Sequence, residues 1–196
     1  MGVIRQEHDM ASGKFIALRK LEYIDRRGNL RSWESADRVN GTPRNSDRPS
    51  AVLIIARIVP DNELLLVRQF RPPAGKYMIE FPAGLIDPGE DIETTAHREL
   101  YEETGYQGKF LFSSRAGYSS PGLTGEAVAL CAMEINGENY PEIPENHQEE
   151  CEDIEVFRVP IAKLDEFIEQ QESAGCGVDS KLHTVLAMQK LGWQDL

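Results

Sequence analysis

Residues 98–105 read RELYEETG, three glutamates beside one arginine, closed by glycine. On a helix Glu99 and Glu103 are i,i+4 neighbours and Glu99 and Glu102 are i,i+3 neighbours, so three carboxylates crowd near one side. Arg98, i,i+4 from Glu102, can hold it in place. Like charges this close repel unless a cation or an arginine offsets them. Taken alone, the stretch reads as a solvated helix face. The residues before it, FPAGLIDPGED (81–91), add two glycines and two prolines in a short loop. Glycine permits backbone turns closed to other residues, and proline stiffens them. Such a loop can aim a backbone carbonyl at the point the helix carboxylates face, and oxygen donors of this kind suit Mg²⁺ or Mn²⁺.

The elements that must position this cluster are readable from pattern. AVLIIARIV (51–59) and ELLLVRQF (63–70) flank PDN and read as adjacent strands, and YMIEF (77–81) as a short further strand. Residues 92–105 have the composition of a helix ended by Gly105. Strands are expected at 109–113, 126–135 and 154–158, and helices at 160–171 and 179–192, the last with Asp179 as its cap. Between the last two strands lies a long acidic loop, NGENYPEIPENHQEECED (136–153). Upstream, 15–24 and 30–36 read as a hairpin around DRRGN, and NGTPRNSDRPS (40–50) as a turn-rich boundary. This gives an N-terminal β region over 1–45, too small to bury a core alone, and a main domain over 46–196. Strands interleaved with a few helices make the class α/β or α+β.

A chain of 196 residues is long enough for one well-filled core. Its formal charge of −12 repels nucleic acid and anionic membrane at long range. It suits a site that gathers divalent cations and takes a metal-neutralised anion. The three cysteines, Cys131, Cys151 and Cys176, are far apart and include no C-x-x-C pair, which supports neither a zinc framework nor a disulfide scaffold. A reducing compartment follows, the cytoplasm first and the nucleus as the alternative. The start lacks the apolar run of a signal peptide. No apolar run approaches the roughly 20 residues that span a membrane.

Counted out, Gly84, five residues, Glu90, seven residues, Arg98-Glu99-Leu100, one residue, Glu102-Glu103, one residue, Gly105-Tyr106 resembles the Nudix box across 23 residues. Eight of nine defined positions match; Tyr106 stands where a bulky aliphatic residue is usual. The resemblance implies a Nudix α/β/α sandwich with a mixed sheet, to which the small N-terminal antiparallel β region is added. It implies hydrolysis of a nucleoside diphosphate linked to another group, with Mg²⁺, or Mn²⁺ in its place. Glu99 and Glu103 become metal ligands, Glu102 a ligand or near-ligand, and the Ala83 carbonyl a further ligand. Arg98 orients the carboxylates and Glu90 supports the geometry between loop and helix.

Outside the box, SSPGLTGEA (119–127) puts Pro121 fifteen residues past Tyr106. This resembles the proline-containing loop of ADP-ribose pyrophosphatases, and Glu126 resembles the glutamate common just after it. VRQFRPPAGKYMIEFPAGLIDPGE (67–90) and RSWESADR (31–38) resemble eukaryotic ADP-sugar pyrophosphatases. That likeness implies ADP-ribose or a related ADP-sugar as substrate, and a homodimer that exchanges its N-terminal β region. Trp33 would stack on adenine and Phe15 would occupy the other aromatic position, a departure if relatives carry tryptophan there. Arg38 and Arg71 would contact phosphate or the terminal ribose. The acidic loop would supply a catalytic glutamate, Glu152, with Glu150 and Glu149 as alternatives; the box itself remains a source of the base. Rival readings are hydrolysis of NADH, dinucleoside polyphosphates or oxidised nucleotides, and a nucleotide-sensing module without catalysis.

Overall fold

The computed structural model describes residues 2–44, 46–148 and 152–192. In chain order the strands and helices are β1 (Val3–Ser12), β2 (Ile16–Ile24), β3 (Leu30–Arg38), β4 (Ala51–Val59), β5 (Glu63–Arg71), β6 (Lys76–Glu80), β7 (Ala83–Leu85), α1 (Ile92–Thr104) and β8 (Lys109–Ser113). They continue with β9 (Gly117–Tyr118), β10 (Ala127–Asn136), β11 (Ile154–Pro160), α2 (Leu164–Ser173), β12 (Gly177–Val178) and α3 (Ser180–Lys190). Short 3-10 turns follow β5 and β10 and precede α2. The chain forms two units, one of Met1–Ala51 with Ser114–Ala129, the other of Val52–Ser113 with Leu130–Leu196.

In the first unit β1, β2 and β3 form an antiparallel meander in that order. The hairpin expected around DRRGN is present. Its turn is built by Asp25, whose Oδ1 accepts from the backbone N–H groups of Arg27 (2.8 Å) and Asn29 (2.9 Å). Strand β1 was not anticipated. All ten of its residues are exposed, so it is held by ladder hydrogen bonds to β2 rather than by buried side chains. Residues 114–129 join this unit through backbone bonds such as Ala36 N–H to Leu123 O at 2.9 Å and Ser50 N–H to Ala127 O at 2.8 Å.

The second unit holds a mixed sheet flanked by helices. Strands follow in the order β12, β6, β5, β4, β10, β8, with β11 against β5 and β7 against β4. The β5–β6 and β5–β11 ladders are antiparallel, and β12 joins β6 in parallel. Strand β4 is nearly continuous in apolar residues, as a strand covered on both faces must be. Strand β10 alternates strictly, burying Ala127, Ala129, Cys131, Met133 and Ile135. Leu65, Leu66, Ile79, Phe81, Leu100, Leu164, Ile168 and Leu182 fill the core.

Helix α1 begins at Asp91, whose carboxylate accepts from Thr94 N–H (2.8 Å). It ends at Gly105, which adopts φ +73°. A side chain at Gly105 would be strained in conformation and would overlap the Glu145 carbonyl oxygen, so the helix end and the acidic loop fit only around glycine. The helix expected from residue 160 starts instead with a 3-10 turn over Ile161–Lys163 before α2. Pro160 belongs to β11, pairing with Glu63. Asp179 caps α3 as expected, accepting from Lys181 N–H at 2.7 Å.

Candidate active site

Arg98 is the centre of the box. Its guanidinium reaches Glu90 (Nε to Oε1 3.0 Å, Nη2 to Oε2 3.0 Å), Glu99 (Nη1 to Oε1 2.8 Å), Glu102 (Nη1 to Oε2 2.9 Å) and the Leu85 carbonyl (3.0 Å). Glu90 also accepts from the Thr95 hydroxyl at 2.7 Å. The bonds from Arg98 and Thr95 hold the Glu90 carboxyl down to about 2. In turn the three glutamates push the Arg98 pKa above its ordinary value, with Glu90 contributing most. Glu90 is thus the anchor that fixes Arg98 between loop and helix.

Glu103 is 4% exposed, and its Oε2 accepts from Ala83 N–H at 3.0 Å. Burial pushes its carboxyl up to about 8. The Ala83 bond and the charge on Arg71 oppose that shift, and the charges on Glu99 and Glu152 add to it. Glu99 is raised as well, first by burial and further by Glu102 and Glu152, against the pull of Arg98. Gly84 gives Glu99 room: a Cβ built there would overlap its carboxylate. Arg71 pairs with Glu80 through Nε at 2.8 Å.

Glu149 and Glu150, the alternatives to Glu152, lie outside the described residues, as does Cys151. The acidic loop, expected to supply a catalytic glutamate, is also tied to α1 through His147. The His147 N–H donates to the Glu102 carbonyl (2.7 Å), and the His147 ring stacks on Tyr101 with centroids 4.5 Å apart. The Tyr140 hydroxyl accepts from Gln107 N–H (3.0 Å), and its ring lies 4.7 Å from that of Tyr106. Tyr106 is fully buried: the ring that departs from the box pattern fills the space between helix end and loop. An aromatic at that position together with Tyr140 is the sequence signal for this packing.

The remaining predicted residues lie in the first unit. Trp33 is half-exposed, and its Nε1 donates to the Gly122 carbonyl (3.0 Å), the residue after Pro121. Trp33, Pro121, Leu21, Tyr23, Tyr118 and Leu123 line a pocket of about 390 Å³. Arg38 donates through Nε to Glu126 Oε1 at 2.7 Å. Phe15 is exposed, with Lys14 Nζ 4.8 Å from its ring centroid, and it does not line that pocket.

Residues 47–174 match the NUDIX domain family. The chain belongs to the Nudix family. It is 37% identical to the ADP-ribose pyrophosphatase of Saccharomyces cerevisiae, over 92% of this chain and 79% of that one. It is 32% identical to the ADP-sugar pyrophosphatase of Mus musculus, over 92% of this chain and 84% of that one. The crystal structure of an ADP compounds hydrolase has the same fold, with a TM-score of 0.67 at 24% identity, covering 100% of this chain and 97% of that chain.

Nudix membership makes the chain a hydrolase and carries a general dependence on divalent metal. Among the described residues, no three His, Cys, Asp or Glu side chains are already gathered into a metal cage. Arg98 draws Glu99 and Glu102 to itself, and Glu103 turns to Ala83 N–H. The donor chemistry nonetheless fits a hard cation. Only oxygens are offered, and two neighbouring carboxylates are held at raised pKa by burial and mutual repulsion, which a bound cation relieves.

Proposed function

We propose that the protein hydrolyses the pyrophosphate bond of ADP-ribose, or of a closely related ADP-sugar, to AMP and a sugar phosphate. The observation that carries this reading is the pairing of Trp33 with the proline loop: an aromatic face beside Pro121, on a pocket large enough for a base. The printed names of the yeast and mouse relatives support the same substrate class.

In this reading Glu99, Glu103 and the Ala83 carbonyl would hold Mg²⁺, or Mn²⁺ in its place, with Glu102 as a ligand or near-ligand. When bound, the metal screens the pyrophosphate charge and lowers the pKa of the attacking water. Glu152 accepts a proton from that water as its oxygen bonds to phosphorus. The bond from phosphorus to the bridging oxygen breaks, and its electron pair leaves on the departing phosphate. Arg38 and Arg71 give their remaining N–H groups to phosphate or terminal ribose oxygens. Trp33 stacks on adenine, and Phe15 occupies the other aromatic position. We also propose a homodimer that exchanges its N-terminal β region, whose exposed strand β1 and apolar residues Ile4, Phe15 and Leu18 motivate the idea.

The test is a substrate panel of ADP-ribose, other ADP-sugars, NADH, dinucleoside polyphosphates and oxidised guanine nucleotides, with Mg²⁺ and with EDTA. Metal-dependent formation of AMP and ribose 5-phosphate, with the highest kcat/KM on ADP-ribose, is the expected result. A tenfold preference for another compound would reassign the substrate.

A further inference from the structure

The acidic loop is longer and more tightly tied than a solvated connection needs to be. His147 is bound to α1 through its backbone N–H on the Glu102 carbonyl and its ring on Tyr101. On the next turn of chain, Gln148 Oε1 accepts from Ile154 N–H at 2.7 Å, while Asn146 Nδ2 donates to Ile154 O at 3.1 Å. Gln148 Nε2 donates to Asn146 Oδ1 at 3.2 Å, joining the two amides. Both backbone groups of Ile154, the first residue of β11, are therefore held by side chains from the other end of the segment. Asp153 adds a tie to β6, its Oδ2 accepting from the Tyr77 hydroxyl at 3.2 Å. Glu152 lies two residues before Ile154 in the chain and next to Asp153, so both of these ties bear on it.

We infer that Asn146, His147 and Gln148 form a clasp that positions Glu152 over the box helix, and that they are positioning residues for the reaction. The inference rests on the reading of Glu152 as the base. The physical reason is that a carboxylate on a free loop of like-charged neighbours spends most of its time away from two other carboxylates. A clasp that holds Ile154 from Asn146 and Gln148, with His147 tied to α1, limits where the Glu152 carboxylate can go. The His147 contact adds direction, because it registers the segment against the same helical turn that bears Glu102 and Glu103.

The test uses the full-length protein at saturating Mg²⁺ and the best substrate of the panel. Gln148→Ala should lower kcat about 10-fold, with KM and the half-saturating Mg²⁺ concentration within about 2-fold of wild type. His147→Ala should do the same, and His147→Phe, which keeps the ring on Tyr101, should recover most of the rate. In the metal-free protein, amide exchange at Ile154 should quicken in Gln148→Ala. Adding Gln148→Ala to Glu152→Gln should cost nothing further, since the clasp acts through Glu152. A slow Glu152→Gln beside unchanged rates in Gln148→Ala and His147→Ala would overturn the clasp and leave the base standing. A Glu152→Gln variant at full rate would overturn the base and the clasp with it. Additive losses, or a raised KM at constant kcat, would overturn the clasp alone.

Discussion

The Glu99 carboxylate lies where a Cβ on Gly84 would be. The glycine of the box is thus a steric vacancy for one particular side chain. An alanine there meets the far end of a flexible glutamate, which can swing away at small cost to the fold. Gly84→Ala should therefore keep its unfolding midpoint within a few degrees of wild type and lose activity about 100-fold, with a higher Mg²⁺ requirement. Thermal melts and Mg²⁺ titrations of rate separate the two effects; a large fall in midpoint with normal Mg²⁺ dependence would contradict the assignment.

Glu90 gives a pH signature. Its folded pKa of about 2 lies below the ordinary value of 4.5, so its stabilising effect is fully present above about 4.5 and fades as pH falls toward about 2. Wild type should resist urea better than Glu90→Gln near neutral pH, and this advantage should shrink steadily below about pH 4.5. A gap that stays constant down to pH 3, or so, would mean that Glu90 does not titrate against Arg98.

Glu103→Gln separates charge from shape. The amide oxygen can still accept from Ala83 N–H, and replacing a carboxyl whose pKa burial raises to about 8 spares the fold the cost of desolvating or protonating it. The variant should unfold no more easily than metal-free wild type, yet its kcat should drop about 100-fold or more. Equal turnover at saturating Mg²⁺ would move Glu103 out of the metal's coordination sphere.

Trp33→Ala should raise KM for ADP-ribose about 5–30-fold, from a stacking contribution of about 1–2 kcal/mol, and change kcat less. Trp33→Phe keeps an aromatic face but loses the N–H to Gly122, and should fall between. If KM is indifferent to both, adenine binds elsewhere.

The exchanged dimer predicts a sedimenting species of twice 22.0 kDa at working concentrations. Removing residues 1–45 should leave monomer with weakened substrate binding. A wild-type protein that sediments as 22.0 kDa would rule out the exchange.

The box and the main sheet were legible because their residues obey local rules. Asp91 and Gly105 mark the ends of α1, β10 alternates with period two, and β4 is apolar apart from Arg57. Strand β1 was illegible for the opposite reason: with every residue exposed, VIRQEHDMAS carries no burial pattern, and its strand character comes from pairing with β2. Pro160 misled as a helix start because the same residue can end an edge strand, where its missing N–H is harmless. Among the site residues, the Arg98–Glu102 contact follows from helical spacing alone. The ties of His147, Gln148 and Tyr140 join segments tens of residues apart or depend on loop geometry, which spacing does not encode.

The Arg98 guanidinium, which already binds Glu90, Glu99, Glu102 and the Leu85 carbonyl, serves as a built-in counterion for the box. Small zinc domains unfold when chelated, because their ligands have nothing else to hold them together. Here the acidic turn keeps its own cation, so on the proposed metal site folding should not depend on metal loading. Chelation should then leave a folded protein, whose activity follows the divalent cation around it.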